Sequence, residues 1–123
     1  MKFEKATDIA IEAAHESTMH HRMGAILYDK ANYVTGFNRC FDCCVLSRKK
    51  PFSLHAEEMA ILKGLRSGIK FDDSTLIVIR INRKNQLRCS VPCSVCSRII
   101  ERVGIKNVWH INERNEICQM DRP

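Results

Sequence analysis

Two short stretches of this sequence hold residues that could do chemistry together: "LHAEEMAIL" at Leu54–Leu62 and "PCSVC" at Pro92–Cys96. Cys93 and Cys96 are three residues apart, with a proline placed where a helix can begin. On a helix start both sulfurs fall on one face and can share one ion. A helix N-terminus also favours the thiolates that a metal needs. A CxxC by itself has two rivals, a redox dithiol and half of a four-cysteine structural zinc site. No second CxxC stands at a helix start behind a proline; the nearest substitute is Cys40 with Cys43, Cys44 or Cys89.

Adding His55 changes the reading. His55, Cys93 and Cys96 supply three protein ligands and leave a fourth zinc position for water, the pattern of a catalytic rather than a closed structural site. Two thiolates cancel the formal charge of the ion, so that water would ionise weakly unaided. Glu57, two residues from the histidine, is placed to take its proton. Glu58 points about 100° further round the helix and reads as a solvated or salt-bridged residue.

The elements that must position these groups follow from periodicity. Phe3, Ala6, Ile9, Ala10, Ala13 and Ala14 predict an amphipathic helix over 3–20. "GAILYD" and "YVTGFN" read as a hairpin turned at 29–32. "RCFDCCVLSRKKPF" has no clean period and reads as a loop. Ser53 is a candidate cap for a helix running to about Ser67 and stopped by Gly68. "STLIVIRIN" is a β-branched strand, followed by a short strand at 87–89, a helix from Pro92 to Gly104, a strand "KNVWHI" and a last strand in "EICQM". This order predicts helices on both faces of a mixed sheet.

Composition bounds the partners. At 14.2 kDa the chain is expected to be a single domain over 1–123. Glu4, Asp8 and Glu12 interrupt the N-terminal apolar residues and no run approaches membrane-spanning length, so the expectation is a cytoplasmic protein without a membrane partner. Seven cysteines, an odd count, fit metal ligands, reactive thiols or small buried residues better than a disulfide framework. A net charge of +6 favours anionic partners without separating a nucleotide from a polynucleotide. Arg39 and the run Arg48–Lys50 read either as a solvated loop or as contacts to a substrate phosphate, with Arg39, Lys49 and Lys50 the candidates. Cys89 and Cys118 read as small buried hydrophobes, and Trp109 as a core or interface anchor that could instead stack on a base.

In the order H-A-E then P-C-x-x-C, the two motifs form the signature of zinc nucleobase deaminases. The chain resembles the cytidine/deoxycytidylate deaminase superfamily over nearly its whole length, through "GAILYD", "GFNR", "LHAEEMAIL", "LIVIRI", "PCSVC" and "GIKNVWHI". The resemblance implies an α/β fold, a three-layer α/β/α sandwich around a five-stranded mixed sheet. It implies a zinc ion on His55, Cys93 and Cys96, Glu57 as proton shuttle, and Asn38 of "GFNR" as a contact to the substrate sugar or base. It also implies hydrolytic release of ammonia and assembly as a homo-oligomer. Cys40, Cys43 and Cys44, with a histidine such as His15, His20 or His21, are either a second zinc site of the kind some deoxycytidylate deaminases carry or free thiols. The histidine-headed first motif resembles the deoxycytidylate, tRNA-adenosine and polynucleotide branches, while Val91 matches neither the serine nor the glutamate usual before that proline. "NR" in place of "NG" argues against triphosphate regulation. A free cytosine nucleotide such as dCMP is the expected substrate, with single-stranded DNA or tRNA as the alternative and a zinc-stabilised module without chemistry as the third reading.

Overall fold

The computed structural model describes residues 1–41 and 52–120. Helix α1 (Phe3–His15) precedes strands β1 (Arg22–Tyr28) and β2 (Tyr33–Phe37). A short ribbon of β3 (Arg39–Phe41) and β4 (Phe52–Leu54) leads into α2 (Ala56–Ser67). Strands β5 (Thr75–Ile81) and β6 (Leu87–Arg88), helix α3 (Ser94–Val103), and strands β7 (Asn107–Ile111) and β8 (Ile117–Gln119) complete the order.

The main sheet runs β2-β1-β5-β7-β8, five strands as expected, with β6 added as a sixth by folding back on β5. Among the described strands only β5 and β7 pair in parallel, joined through α3 as a β-α-β unit. Alternation along the strands divides the core. Ile26, Ile77, Ile79 and Ile81 pack beneath α1, while Ala25, Leu27, Leu76 and Val78 pack beneath α2 and α3. The result is the three-layer α/β/α arrangement. Among the described residues no helix is long and apolar enough to cross a membrane.

Three local expectations need correction. Helix α1 stops at His15 rather than continuing to 20, because the buried Ser17 hydroxyl donates to Asn38 O (2.9 Å) and draws the chain toward the sheet. The segment after "GFN" is not wholly loop: Cys40 pairs with Ser53 in the β3–β4 ribbon. Ser53 is thereby committed to a strand, and the residue at the N-cap of α2 is His55.

Helices α1 and α2 approach the sheet very closely, and small residues permit it. Ala6, Ala10 and Ala14 of α1 are fully buried, and a Cβ on Gly24 would overlap Ala10 O and the Ala14 backbone. On the other face a Cβ on Gly36 would overlap Ala56 O and come within 2.7 Å of Ala60 N. The obstacle is helix backbone, so it yields only if α2 moves. A Gly36→Ala variant is therefore expected to lose about 3 kcal/mol, the upper end for overpacking. In urea that lowers the unfolding midpoint by about 1–2 M, and it disturbs the first turn of α2, which carries His55 at its cap and Glu57.

Candidate metal centre and active site

Helices α2 and α3 both aim their N-termini at one end of the sheet. Gly36 lies beneath Ala56 and Ala60 in α2, and Gly64 at the far end of that helix lies over Leu27. The start of α2 thus sits toward the N-terminal end of β1. Helix α3 is anchored just before its first turn by Ser90, whose hydroxyl donates to Val78 O (2.7 Å) and accepts from Ile111 N–H (2.8 Å). That bond pair ties the segment leading to Pro92 to the middle of β5 and the C-terminal end of β7. Two helix dipoles therefore place partial positive charge at a common point.

The predicted ligands meet there. Ligand atoms of His55, Cys93 and Cys96 all lie within 4.8 Å of one another. His55 Nδ1 is 3.1 Å from Cys96 Sγ and 3.8 Å from Cys93 Sγ. Donors on one tetrahedral zinc, at bond lengths of about 2.1 Å to nitrogen and 2.3 Å to sulfur, stand about 3.5–3.8 Å apart. The donor set fits zinc in type and in spacing. Cys93 is exposed and Cys96 is buried, so the cluster sits at the lip of the protein with one side toward solvent.

Glu57 completes the arrangement. Its side chain is buried, with 2% of the residue exposed, and Oε1 has no hydrogen-bond partner among the described residues. Burial pushes its carboxyl above the ordinary range, partly opposed by its own backbone N–H, by Cys96 and by His55. The Cys96 thiol is pushed strongly upward by burial, then by the Glu57 charge and by Cys93. Burial thus shifts both groups toward their protonated forms. A divalent cation there inverts that preference and makes the thiolates the stable form.

Glu58, which the sequence suggests is solvated, instead positions a ligand. Its Oε1 accepts the His55 N–H (3.0 Å) and so fixes the backbone that carries the imidazole. The sequence does hold a signal for this, a carboxylate three residues after the cap, which is the spacing of a capping box. Ser90 carries no such signal, since a lone serine ahead of a proline points to nothing in particular.

Asn38 is buried and engaged. Its Nδ2 donates to His21 O (2.6 Å) and its Oδ1 accepts Met23 N–H (2.8 Å). Each end of the amide retains capacity for one further hydrogen bond. Arg39 is exposed at the start of β3, while Lys49 and Lys50 lie outside the described residues. Cys40 is exposed and joins no metal-type cluster among the described residues; Cys43 and Cys44 lie outside them. Cys89 and Cys118 are half-buried, and Cys118 Sγ touches His110 Nε2 at 3.6 Å. Trp109 packs edge-on against Phe3 (ring centroids 4.8 Å apart) on the α1 face, opposite the metal centre, so it is a core anchor and not a platform for a base.

Residues 1–111 match the sequence pattern of the cytidine and deoxycytidylate deaminase zinc-binding region, and the chain belongs to that family. With the geometry of His55, Cys93 and Cys96, this makes zinc its cofactor. Among solved structures, a cytidine deaminase from Burkholderia pseudomallei is similar in fold, with a TM-score of 0.73 at 17% identity over 98% of this chain and 93% of that one. A dCMP deaminase from the cyanophage S-TIM5, in apo form, is 28% identical with a TM-score of 0.66, over 92% of this chain and 86% of that one. The same phage enzyme in complex with dCMP and dUMP gives a TM-score of 0.56 at 25% identity, over 88% and 81%. No curated protein matches the chain by sequence. Family and fold together support nucleobase deamination.

Proposed function

We propose that this protein hydrolytically deaminates cytosine in a free nucleotide, with dCMP the leading substrate, releasing ammonia and leaving uracil. The observation that carries the reading is the buried, unpartnered Oε1 of Glu57 beside the cluster of His55, Cys93 and Cys96. A structural zinc site has no use for such a carboxylate, and an unsatisfied buried oxygen costs stability. Similarity to the cyanophage dCMP deaminase supports the choice of nucleotide.

Zinc, when held by His55, Cys93 and Cys96, would supply Lewis-acid polarisation and lower the pKa of the attacking water. The chain's own residues do the rest. Glu57 takes a proton from the attacking water and delivers it to the ring nitrogen, which makes the amino-bearing carbon electrophilic. The hydroxide adds to that carbon; Glu57 then takes the proton of the new hydroxyl and passes it to the amino group, and the C–N bond breaks to release ammonia as the carbonyl forms. Burial suits Glu57 to this shuttle, because a carboxyl raised above its usual range both accepts and returns a proton readily. Glu58 holds the His55 backbone, Ser90 holds the approach to Cys93, and the remaining capacity of Asn38 serves the sugar or base. Arg39 is a candidate for a polar contact to the substrate, as are Lys49 and Lys50, which lie outside the described residues.

A substrate panel tests the reading. Zinc-loaded protein incubated with dCMP, CMP, deoxycytidine and an oligodeoxycytidylate is expected to release ammonia from a cytosine mononucleotide. Conversion of none of the mononucleotides would refute the reading. Conversion of the oligonucleotide alone would transfer the function to a polynucleotide deaminase.

A further inference from the structure

A second built feature lies on the same face of the sheet as the metal centre. The β5–β6 hairpin and the segment entering β1 enclose a solvent-open cavity of about 360 Å³, lined by Arg80, Arg83, Lys84, Arg88, His20 and His21 with two uncharged polar residues and no acid. Register puts it close to the chemistry. Val78 lies under α2 and α3, and its carbonyl holds Ser90 on the way to Cys93. Arg80 is the next residue of β5 on that face, about 7 Å further along the strand toward the end where both helices start. Arg80 also pairs with Met23, whose N–H is held by Asn38, and Asn38 is bonded in turn to His21. The candidate substrate contact Asn38 is thus bonded directly to the cavity wall.

The lining is fixed in place. Arg22 Nη2 donates to Asn82 O (2.6 Å) and Asn85 Oδ1 (3.0 Å), and Asn82 Oδ1 accepts Lys84 N–H and Gln86 N–H (both 2.9 Å). Arg88 Nη2 donates to Gln86 Oε1 (3.0 Å). Arg80 Nη2 donates to His21 Nδ1 (2.7 Å) and Arg83 Nη2 to His20 Nδ1 (3.3 Å), with the two imidazoles edge to face at 4.7 Å. A guanidinium only donates, so both Nδ1 atoms accept and both rings carry their proton on Nε2. The rings are thereby donors for something else.

The cluster lacks an anion. Among the described residues the one ion pair is Lys30–Asp73 (3.8 Å), so none of the four cations is neutralised by a described acid. Arg80 Nε is buried without a hydrogen-bond partner among those residues. Like charges gathered without acid repel one another, and a buried unpaired donor adds to the cost. A phosphate offsets the repulsion, through charge-assisted bonds to the exposed ends of the arginines and the lysine.

We propose that this cavity is the phosphate-binding subsite of the enzyme, taking a phosphate group carried by the substrate whose base enters the metal centre. The proposal rests on the deaminase reading for the identity of that base. The phosphate is either the 5′-group of a mononucleotide or part of a single-stranded backbone, and the two sources separate experimentally.

The experiment is isothermal titration of zinc-loaded protein with deoxyuridine, dUMP and a short oligodeoxyuridylate, product-type ligands that are not turned over. At least one phosphate-bearing ligand is expected to bind about 10- to 100-fold more tightly than deoxyuridine. dUMP shows this preference if the source is the mononucleotide. The oligonucleotide alone shows it, with steep salt dependence, if the source is a backbone. Arg80→Gln combined with Arg88→Gln is expected to remove the preference without changing zinc content. Lys84→Gln, an exposed change on the turn, is expected to reduce it in a protein of unchanged stability. Inorganic phosphate, a probe without a base, is expected to shift the ring resonances of His20 and His21. A wild-type protein with no preference for either phosphate-bearing ligand, or a preference that survives all three substitutions, would overturn the proposal. Phosphate-dependent binding in a protein that deaminates nothing would overturn the deaminase reading and leave the anion site standing. Deamination with no phosphate preference would do the reverse.

Discussion

Replacing Glu57 by glutamine is expected to lower kcat by about a thousandfold or more while leaving the zinc content at wild-type stoichiometry. General acid–base groups contribute about 100- to 10,000-fold, and in the proposed mechanism one carboxyl handles every proton. Glutamine keeps the volume and one carbonyl oxygen but cannot carry a proton between water, ring and amine. The fold should tolerate the change, because burial already disfavours the charged carboxylate and the amide removes an ionisable group from a dry site. Metal analysis and thermal unfolding beside the rate measurement separate loss of chemistry from loss of structure. Glu58→Gln is the informative control, since that residue acts only through the His55 N–H. An effect of Glu58→Gln as large as that of Glu57→Gln would mean that the shuttle has been assigned to the wrong carboxylate.

Cys96→Ala is expected to abolish zinc retention and, with it, a large share of the stability. Cys96 is buried between His55 and Glu57, and its loss leaves two protein ligands, one of them exposed. Outer-shell partners alone alter metal affinity by about 10- to 100-fold, so a ligand costs more. Metal binding stabilises the folded state by about 4 kcal/mol at a thousandfold excess over Kd. For a chain of this length that corresponds to a fall in Tm of about 15 °C when the metal is withdrawn. A chelator should therefore lower the Tm of the wild-type protein and leave that of Cys96→Ala unmoved. Equal chelator sensitivity in both proteins would place the stabilising metal elsewhere.

The metal centre is legible in the sequence because its parts are local. Each motif sits within one helix start, so spacing alone puts Cys93 beside Cys96 and Glu57 near His55. The alanine face of α1 and the β-branched run of β5 are legible for the same reason, periodicity within one element. The cap of α2 falls at His55 rather than Ser53 because Ser53 pairs with Cys40 in the β3–β4 ribbon. That is a contact between distant segments, which propensity does not register. The end of α1 is hidden in the same way, since the bond from Ser17 to Asn38 is tertiary. The basic cavity is invisible for a stronger version of this reason. His20 and His21 lie far in sequence from Arg80 and Arg83, and only the antiparallel register of β1 on β5, with Met23 opposite Arg80, brings them together.

Hydrolysis of a cytosine amine by Glu57 beside His55, Cys93 and Cys96 is tested by mass spectrometry of dCMP incubated with zinc-loaded protein in heavy-oxygen water. The expected product is dUMP whose base carries one solvent oxygen, formed by the wild-type protein and essentially absent with Glu57→Gln at equal zinc content. Unchanged dCMP, a product without solvent oxygen, or equal conversion by both proteins would contradict it.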